Sequence, residues 1–133
     1  DLRMSRGLGD VYKRQVYGHL DYIARYIPAN SYTYNWHDFN DLICIILKTI
    51  IEQGKGIEVN TAGLKYGMPE PNPCLDIVKM YHDLGGEIIT VGSDAHEVKF
   101  FAYRFDVVAD MLKNAGFNYY TIFNERKPEF IRL

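Results

Sequence analysis

The run Ile88-Ile-Thr-Val91 is rich in β-branched residues, and Gly92-Ser-Asp-Ala-His96 follows it without a gap. The first half predicts a strand. The second half places a carboxylate and an imidazole two residues apart just past its C-terminal end, where an extended chain projects both to the same side. Working outward, the pattern recurs. Gly56-Ile-Glu-Val-Asn60 predicts a strand with Ile57 and Val59 on one face and Glu58 and Asn60 on the other. Val16-Tyr-Gly-His-Leu20 predicts a shorter strand ending near His19.

Helical stretches separate these strands. Residues 23–27 predict a short helical turn stopped by Pro28, and residues 29–36 a loop. Asp38 is the expected N-cap of a helix whose apolar stripe is Leu42, Ile43, Ile46, Leu47 and Ile50, closed by Gly54 and Gly56. Residues 61–73 are rich in Gly and Pro and predict a loop. Residues 75–84 predict a helix ended by Gly85-Gly86, residues 101–115 another ended by Gly116, residues 119–123 a last strand, and residues 126–133 a tail. Strand and helix alternate with short connections, so the expected class is α/β with parallel strands and crossover helices. A four-stranded open sheet would satisfy that order. Part of a barrel fits better, because His19, Glu58 with Asn60, and Asp94 with His96 all fall at or near C-terminal strand ends, the face that carries the chemistry in α/β barrels.

Composition narrows the function classes. The chain has 133 residues and a formal net charge of −2, which gives no electrostatic basis for nucleic acid or an anionic membrane as partner. Hydrophobic residues make up 47%, which argues against disorder over most of its length. The longest apolar run, Leu42 to Leu47, is far too short to span a bilayer. Cys44 and Cys74 lack metal-ligand spacing with each other, and Cys44 reads as a small core residue. Nothing calls for disulfides, so a reducing, cytoplasmic compartment is expected. The segment Met4-Ser-Arg-Gly-Leu-Gly-Asp-Val-Tyr-Lys-Arg-Gln15 resembles translated adaptor sequence. Residues 1–15 are therefore expected to pack against nothing, with native sequence beginning near Val16; a flexible natural tail is the competing reading.

Each chemical candidate has an ordinary structural alternative. Asp94 and His96 can serve one metal centre or two adjacent ones, or they can form a turn in which Asp94 bonds backbone amides and His96 is solvated. A His after a strand, as at His19, is commonly packed or solvated. Glu58 lies inside an apolar strand, where a carboxylate has to be paired, hydrogen-bonded, metal-bound or protonated. His37 and His82 do not share the strand-end pattern. The conjunction of three successive strand ends bearing such side chains favours a single site.

The segments Tyr17-Gly-His-Leu-Asp21, Gly56-Ile-Glu-Val-Asn-Thr-Ala-Gly-Leu64 and Val91-Gly-Ser-Asp-Ala-His96 resemble, in this order, the PHP (polymerase and histidinol phosphatase) family. Gly116-Phe-Asn-Tyr-Tyr-Thr-Ile-Phe123 with Arg126-Lys-Pro-Glu-Phe130 is similar to its histidinol-phosphatase subgroup. The resemblance covers nearly everything after residue 15. It implies that residues 16–133 are the C-terminal half of a distorted seven-stranded (β/α)7 barrel. It further implies a cluster of up to three divalent metal ions (Zn, Mn or Fe) and hydrolysis of a small phosphate monoester, L-histidinol phosphate. In that reading His19 is a ligand of one metal and Asp94 and His96 of two others. Asp94 or His96 would also protonate the leaving alkoxide, and Glu58 and Asn60 would orient the ligands by hydrogen bonds. Arg25 and Lys65 follow two of the strands and are candidates to bind phosphate; the subgroup tends to have Arg where Lys65 stands, which weakens that role for Lys65. The family's opening His-x-His motif and its mid-chain bridging carboxylate and histidine are not in this chain, so by itself the chain is expected to be inactive and poorly folded. Another PHP phosphoesterase, or a non-catalytic PHP-like interaction domain, are the alternatives.

Overall fold

The computed structural model describes residues 14–26 and 35–133, without the Arg25 side chain. The adaptor reading of residues 1–13, the stop at Pro28, most of the predicted loop 29–36 and any phosphate contact by Arg25 lie outside the described residues.

The centre of the fold is β2 (Gly56–Asn60). It is flanked in parallel by β1 (Val16–Tyr17) and β3 (Ile89–Gly92), giving a three-stranded sheet in the order β1-β2-β3. The register sets Val16 opposite Gly56, Glu58 opposite Thr90 and Asn60 opposite Gly92. Pairing on both sides takes the β2 backbone out of solvent, and Ile57 and Val59 are fully buried, as their alternation requires. The pairing begins before Val16: the Gly56 amide donates to the Gln15 carbonyl at 2.9 Å, and Lys55 Nζ donates to the Arg14 carbonyl. The expectation that residues 1–15 pack against nothing therefore fails at residues 14 and 15.

Among the described residues three α-helices cover the sheet. α1 (Asn40–Glu52) buries Leu47 and Ile50, α2 (Leu75–Asp83) buries Ile77, Val78 and Tyr81, and α3 (Phe105–Ala115) buries Val108, Met111, Leu112 and Ala115. These residues join Ile57, Val59, Ile89 and Phe117 in one core. Leu42, expected in the α1 stripe, is 55% exposed, and Cys44 is only half-buried. Asp38 does not cap α1. It lies in a 3-10 turn over Trp36–Phe39, capped by the Asn35 side chain, which accepts from the His37 amide at 3.1 Å. α3 starts at Phe105 because Ala102 and Arg104 take left-handed φ angles of 52° and 53° that break the helix ahead of it. Burial pushes the Cys74 thiol, just before α2, up to about 11, so it stays protonated and inert.

The C-terminal region departs most from expectation. The predicted tail is a strand, β5 (Lys127–Arg132), antiparallel to β4 (Tyr119–Asn124) in a separate two-stranded sheet. A two-residue turn, Glu125-Arg126, joins them, with φ of 48° and 66°. β4 is not laddered into the parallel sheet. It is fixed to β3 by a side chain, the Ile89 amide donating to buried Thr121 Oγ1 at 3.2 Å. The architecture is a mixed α/β fold with a parallel three-stranded sheet. No helix among the described residues is long and apolar enough to cross a membrane.

Candidate functional site

The strand ends converge. His19 follows β1, Asp94 follows β3, and β2 lies between them. His19 Nε2 stands 3.9 Å from Asp94 Oδ2. Both residues adopt left-handed backbone, with φ of 61° at His19 and 43° at Asp94, and so does Asp21 at 63°. Strained non-glycine positions of this kind cost roughly 1–3 kcal/mol each and cluster at functional sites. The His19 ring is steadied by Tyr22, with ring centroids 4.5 Å apart.

His96 is set by the same turn. Its Nδ1 lies 2.9 Å from the Asp94 carbonyl oxygen. A carbonyl only accepts, so Nδ1 carries the proton, and in the neutral ring Nε2 is left with its lone pair for a ligand. Asp94 thus uses its carboxylate toward His19 and its backbone toward His96.

Beneath this pair, Glu58 occupies the gap between the two outer strand ends. A Cβ at Gly18 would stand 3.2 Å from Glu58 Oε1, and one at Gly92 only 2.6 Å from Oε2. Glycine at these two positions is what admits the carboxylate. Asn60 Nδ2 donates to Glu58 Oε1 at 3.0 Å, and Asn60 Oδ1 accepts from the Ala62 amide at 2.8 Å. Glu58 and Asn60 share one strand face, as the alternation predicted, and each fixes the other. The signal for the Glu58 gap was in the sequence, as a glycine directly preceding each of His19 and the Ser93-Asp94 pair, but only the fold shows what fills the space.

Lys65, in a 3-10 turn over Ala62–Tyr66, reaches the site from β2. Its Nζ donates to the Ser93 carbonyl at 2.6 Å and to the Asp94 carbonyl at 3.2 Å. The sequence offered Lys65 as a phosphate ligand; its donors are turned onto the backbone of the Asp94 turn.

The donor set fits part of a divalent-metal site. Two atoms sharing a tetrahedral ion with bonds of ~2.0–2.2 Å stand about 3.4 Å apart. The 3.9 Å pair is a little wider than that, which suits ligands of one ion or of two adjacent ions, and it is too wide for a direct hydrogen bond. Among the described residues no three His, Cys, Asp or Glu side chains group to hold an ion, so His19 and Asp94 are the pair brought together, with His96 beside them. His37, stacked on Trp36, and His82, against Phe117, belong to other parts of the fold.

No protein-family model matches the chain. A probable histidinol-phosphatase of Thermotoga maritima is 43% identical over 105 residues, 78% of this chain and 42% of that protein. A probable histidinol-phosphatase of Clostridium acetobutylicum is 32% identical over 98 residues, 74% of this chain and 38% of that protein. The histidinol-phosphatase of Lactococcus lactis subsp. lactis is 29% identical over 112 residues, 84% of this chain and 41% of that protein. A crystal structure of the Lactococcus lactis histidinol phosphate phosphatase, complexed with zinc, L-histidinol and phosphate, superposes with a TM-score of 0.71 at 24% identity. That superposition covers 90% of this chain and 45% of the other, and establishes a shared fold. The chain is a homologue of the histidinol-phosphatases, a family it matches over about two fifths of the relatives' length.

Proposed function

We propose that the protein containing this chain hydrolyses L-histidinol phosphate to L-histidinol and phosphate, in the cytoplasm, as a step of histidine biosynthesis. In this reading residues 16–133 form the C-terminal half of a distorted seven-stranded PHP barrel. The single observation that carries it is the 3.9 Å approach of His19 and Asp94 across the end of the parallel sheet, from strands far apart in sequence. The curated names of the relatives and the ligands of the Lactococcus lactis structure supply the substrate.

His19 Nε2, the Asp94 carboxylate and His96 Nε2 would hold divalent ions, zinc on the evidence of the relative's structure and Mn or Fe as alternatives, in a cluster of up to three completed by residues beyond these. Bound there, the ions would lower the pKa of a water and neutralise the phosphoryl oxygens. The chain's own residues do the rest. The left-handed turns at His19 and Asp94 aim both side chains at one point before substrate arrives. Glu58, held by Asn60, fills the space beside Gly18 and Gly92, the glycines just ahead of those turns. Asp94 or His96, whichever is left free of an ion, would take a proton from water and pass it to the departing alkoxide. Arg25, which follows β1 in the sequence, is the cation assigned to the phosphate in this reading.

Phosphate release from L-histidinol phosphate and from a panel of other monoesters, by the full-length protein with and without a chelator, tests the reading. Chelator-sensitive turnover selective for L-histidinol phosphate is expected, and none is expected from the 133-residue chain alone. Turnover that survives chelation, or a preference for another monoester, would overturn it.

A further inference from the structure

The Lys65 ammonium is committed before any substrate is present. Of its three N–H donors, one goes to the Ser93 carbonyl at 2.6 Å and one to the Asp94 carbonyl at 3.2 Å. Its nitrogen also stands 4.8 Å from the centroid of the Phe100 ring, whose face attracts the cation. The two carbonyls belong to the turn that presents the Asp94 carboxylate. That turn needs holding, because Asp94 sits at φ 43°, a conformation its own Cβ opposes. The Asp94 carbonyl also accepts from His96 Nδ1. One oxygen therefore joins the Lys65 ammonium, the Asp94 backbone and the His96 ring.

We propose that Lys65 is a positioning residue: by bridging the Ser93 and Asp94 carbonyls it holds the left-handed turn that aims Asp94 at His19 and orients the His96 ring. This deepens the phosphatase reading above and rests on it. A phosphate-binding lysine keeps its donors for the substrate; this one commits two of its three to the backbone of a turn 28 residues further along the chain.

The test compares Lys65→Met, Lys65→Gln, Lys65→Arg and Lys99→Met in the full-length protein loaded with Mn2+ or Zn2+. Lys99 also lies against Phe100, at 4.9 Å, but pairs with Glu97 at 2.8 Å, so it controls for loss of a cation from that ring. Steady-state kinetics with L-histidinol phosphate are read beside Mn2+ or Zn2+ affinity by titration calorimetry. Lys65→Met should lower kcat and metal affinity roughly 10–100-fold, the usual effect of removing a partner that orients a ligand. KM should stay within about twofold, because no ground-state contact to substrate is lost. Lys65→Arg should recover most of kcat, and Lys99→Met should match the parent. A raised KM with kcat intact in Lys65→Met would mark a phosphate contact and overturn the proposal, as would unchanged metal affinity. Should Lys65→Met fail to fold, Lys65→Gln, which keeps one donor to a carbonyl, carries the same two criteria. A parent protein that does not turn over L-histidinol phosphate defeats the phosphatase reading by itself. The metal titration then still decides the role of Lys65.

Discussion

His19 Nε2 stands 3.9 Å from Asp94 Oδ2 while both residues hold left-handed backbone and stay partly exposed. Exposed pairs of this kind contribute little to stability, about 0–1 kcal/mol, and the strain beneath them opposes folding. His19→Ala and Asp94→Asn should therefore shift unfolding free energy by less than about 1 kcal/mol, in either direction. Urea denaturation measures it. A loss of several kcal/mol would mean that the pair is structural rather than poised for a ligand.

Glu58 and Gly92 form a size-matched contact. A Cβ at residue 92 would lie 2.6 Å from Glu58 Oε2, the mobile end of that side chain, so Gly92→Ala should displace the carboxylate from its bond with Asn60 at a cost of about 0.5–1.5 kcal/mol. Glu58→Ala in the same chain should relieve most of that cost. A double-mutant cycle with a coupling energy near zero would show that the two positions do not share the space.

Tyr81 gives a pH signature. Its hydroxyl donates to the Ile88 carbonyl at 2.9 Å, and burial pushes its pKa up to about 12 from an ordinary 10.0. The folded state keeps the phenol neutral where the unfolded chain ionises it. The contribution is full below pH 10 and is lost as pH rises from about 10 to about 12. Tyr81→Phe should remove that alkaline slope, and should cost about 0.5–1.5 kcal/mol at neutral pH for the lost hydrogen bond. Denaturation midpoints followed across that window decide it; an unchanged slope in the variant would assign the alkaline loss to other groups.

The β4–β5 turn holds two non-glycine residues, Glu125 and Arg126, at positive φ. Asn-Gly suits that geometry far better. Replacing Arg126 with Gly should stabilise the protein by roughly 0.5–1 kcal/mol, since left-handed backbone strains a side chain that bears a Cβ. A lower melting temperature for Arg126→Gly would show that the Arg126 side chain earns its place through contacts.

The same turn explains part of what the sequence concealed. Glu125-Arg126 carries none of the residues that announce a hairpin, so β5 read as a tail. Phe101 to Arg104 continues an apolar, helix-compatible pattern, and nothing local reveals that Ala102 and Arg104 turn left-handed. The legible parts were those with strict periodicity. Alternation in β2 put Ile57 and Val59 in the core and Glu58 beside Asn60, and the strand-end placement of His19 and Asp94 anticipated their meeting. The destination of Lys65 was illegible because a cation after a strand looks the same whether it faces solvent, a phosphate or two carbonyls 28 and 29 residues on.

The central claim is that the strand-end pair is part of a phosphatase metal site. Its most direct measurement is kcat, KM and bound metal of Asp94→Asn in the full-length protein. The account predicts turnover on L-histidinol phosphate reduced by at least about 10²-fold, with KM little changed, because the lost charge serves the transition state, and metal content reduced as well. An Asp94→Asn protein with full metal content and near-parental turnover would contradict it.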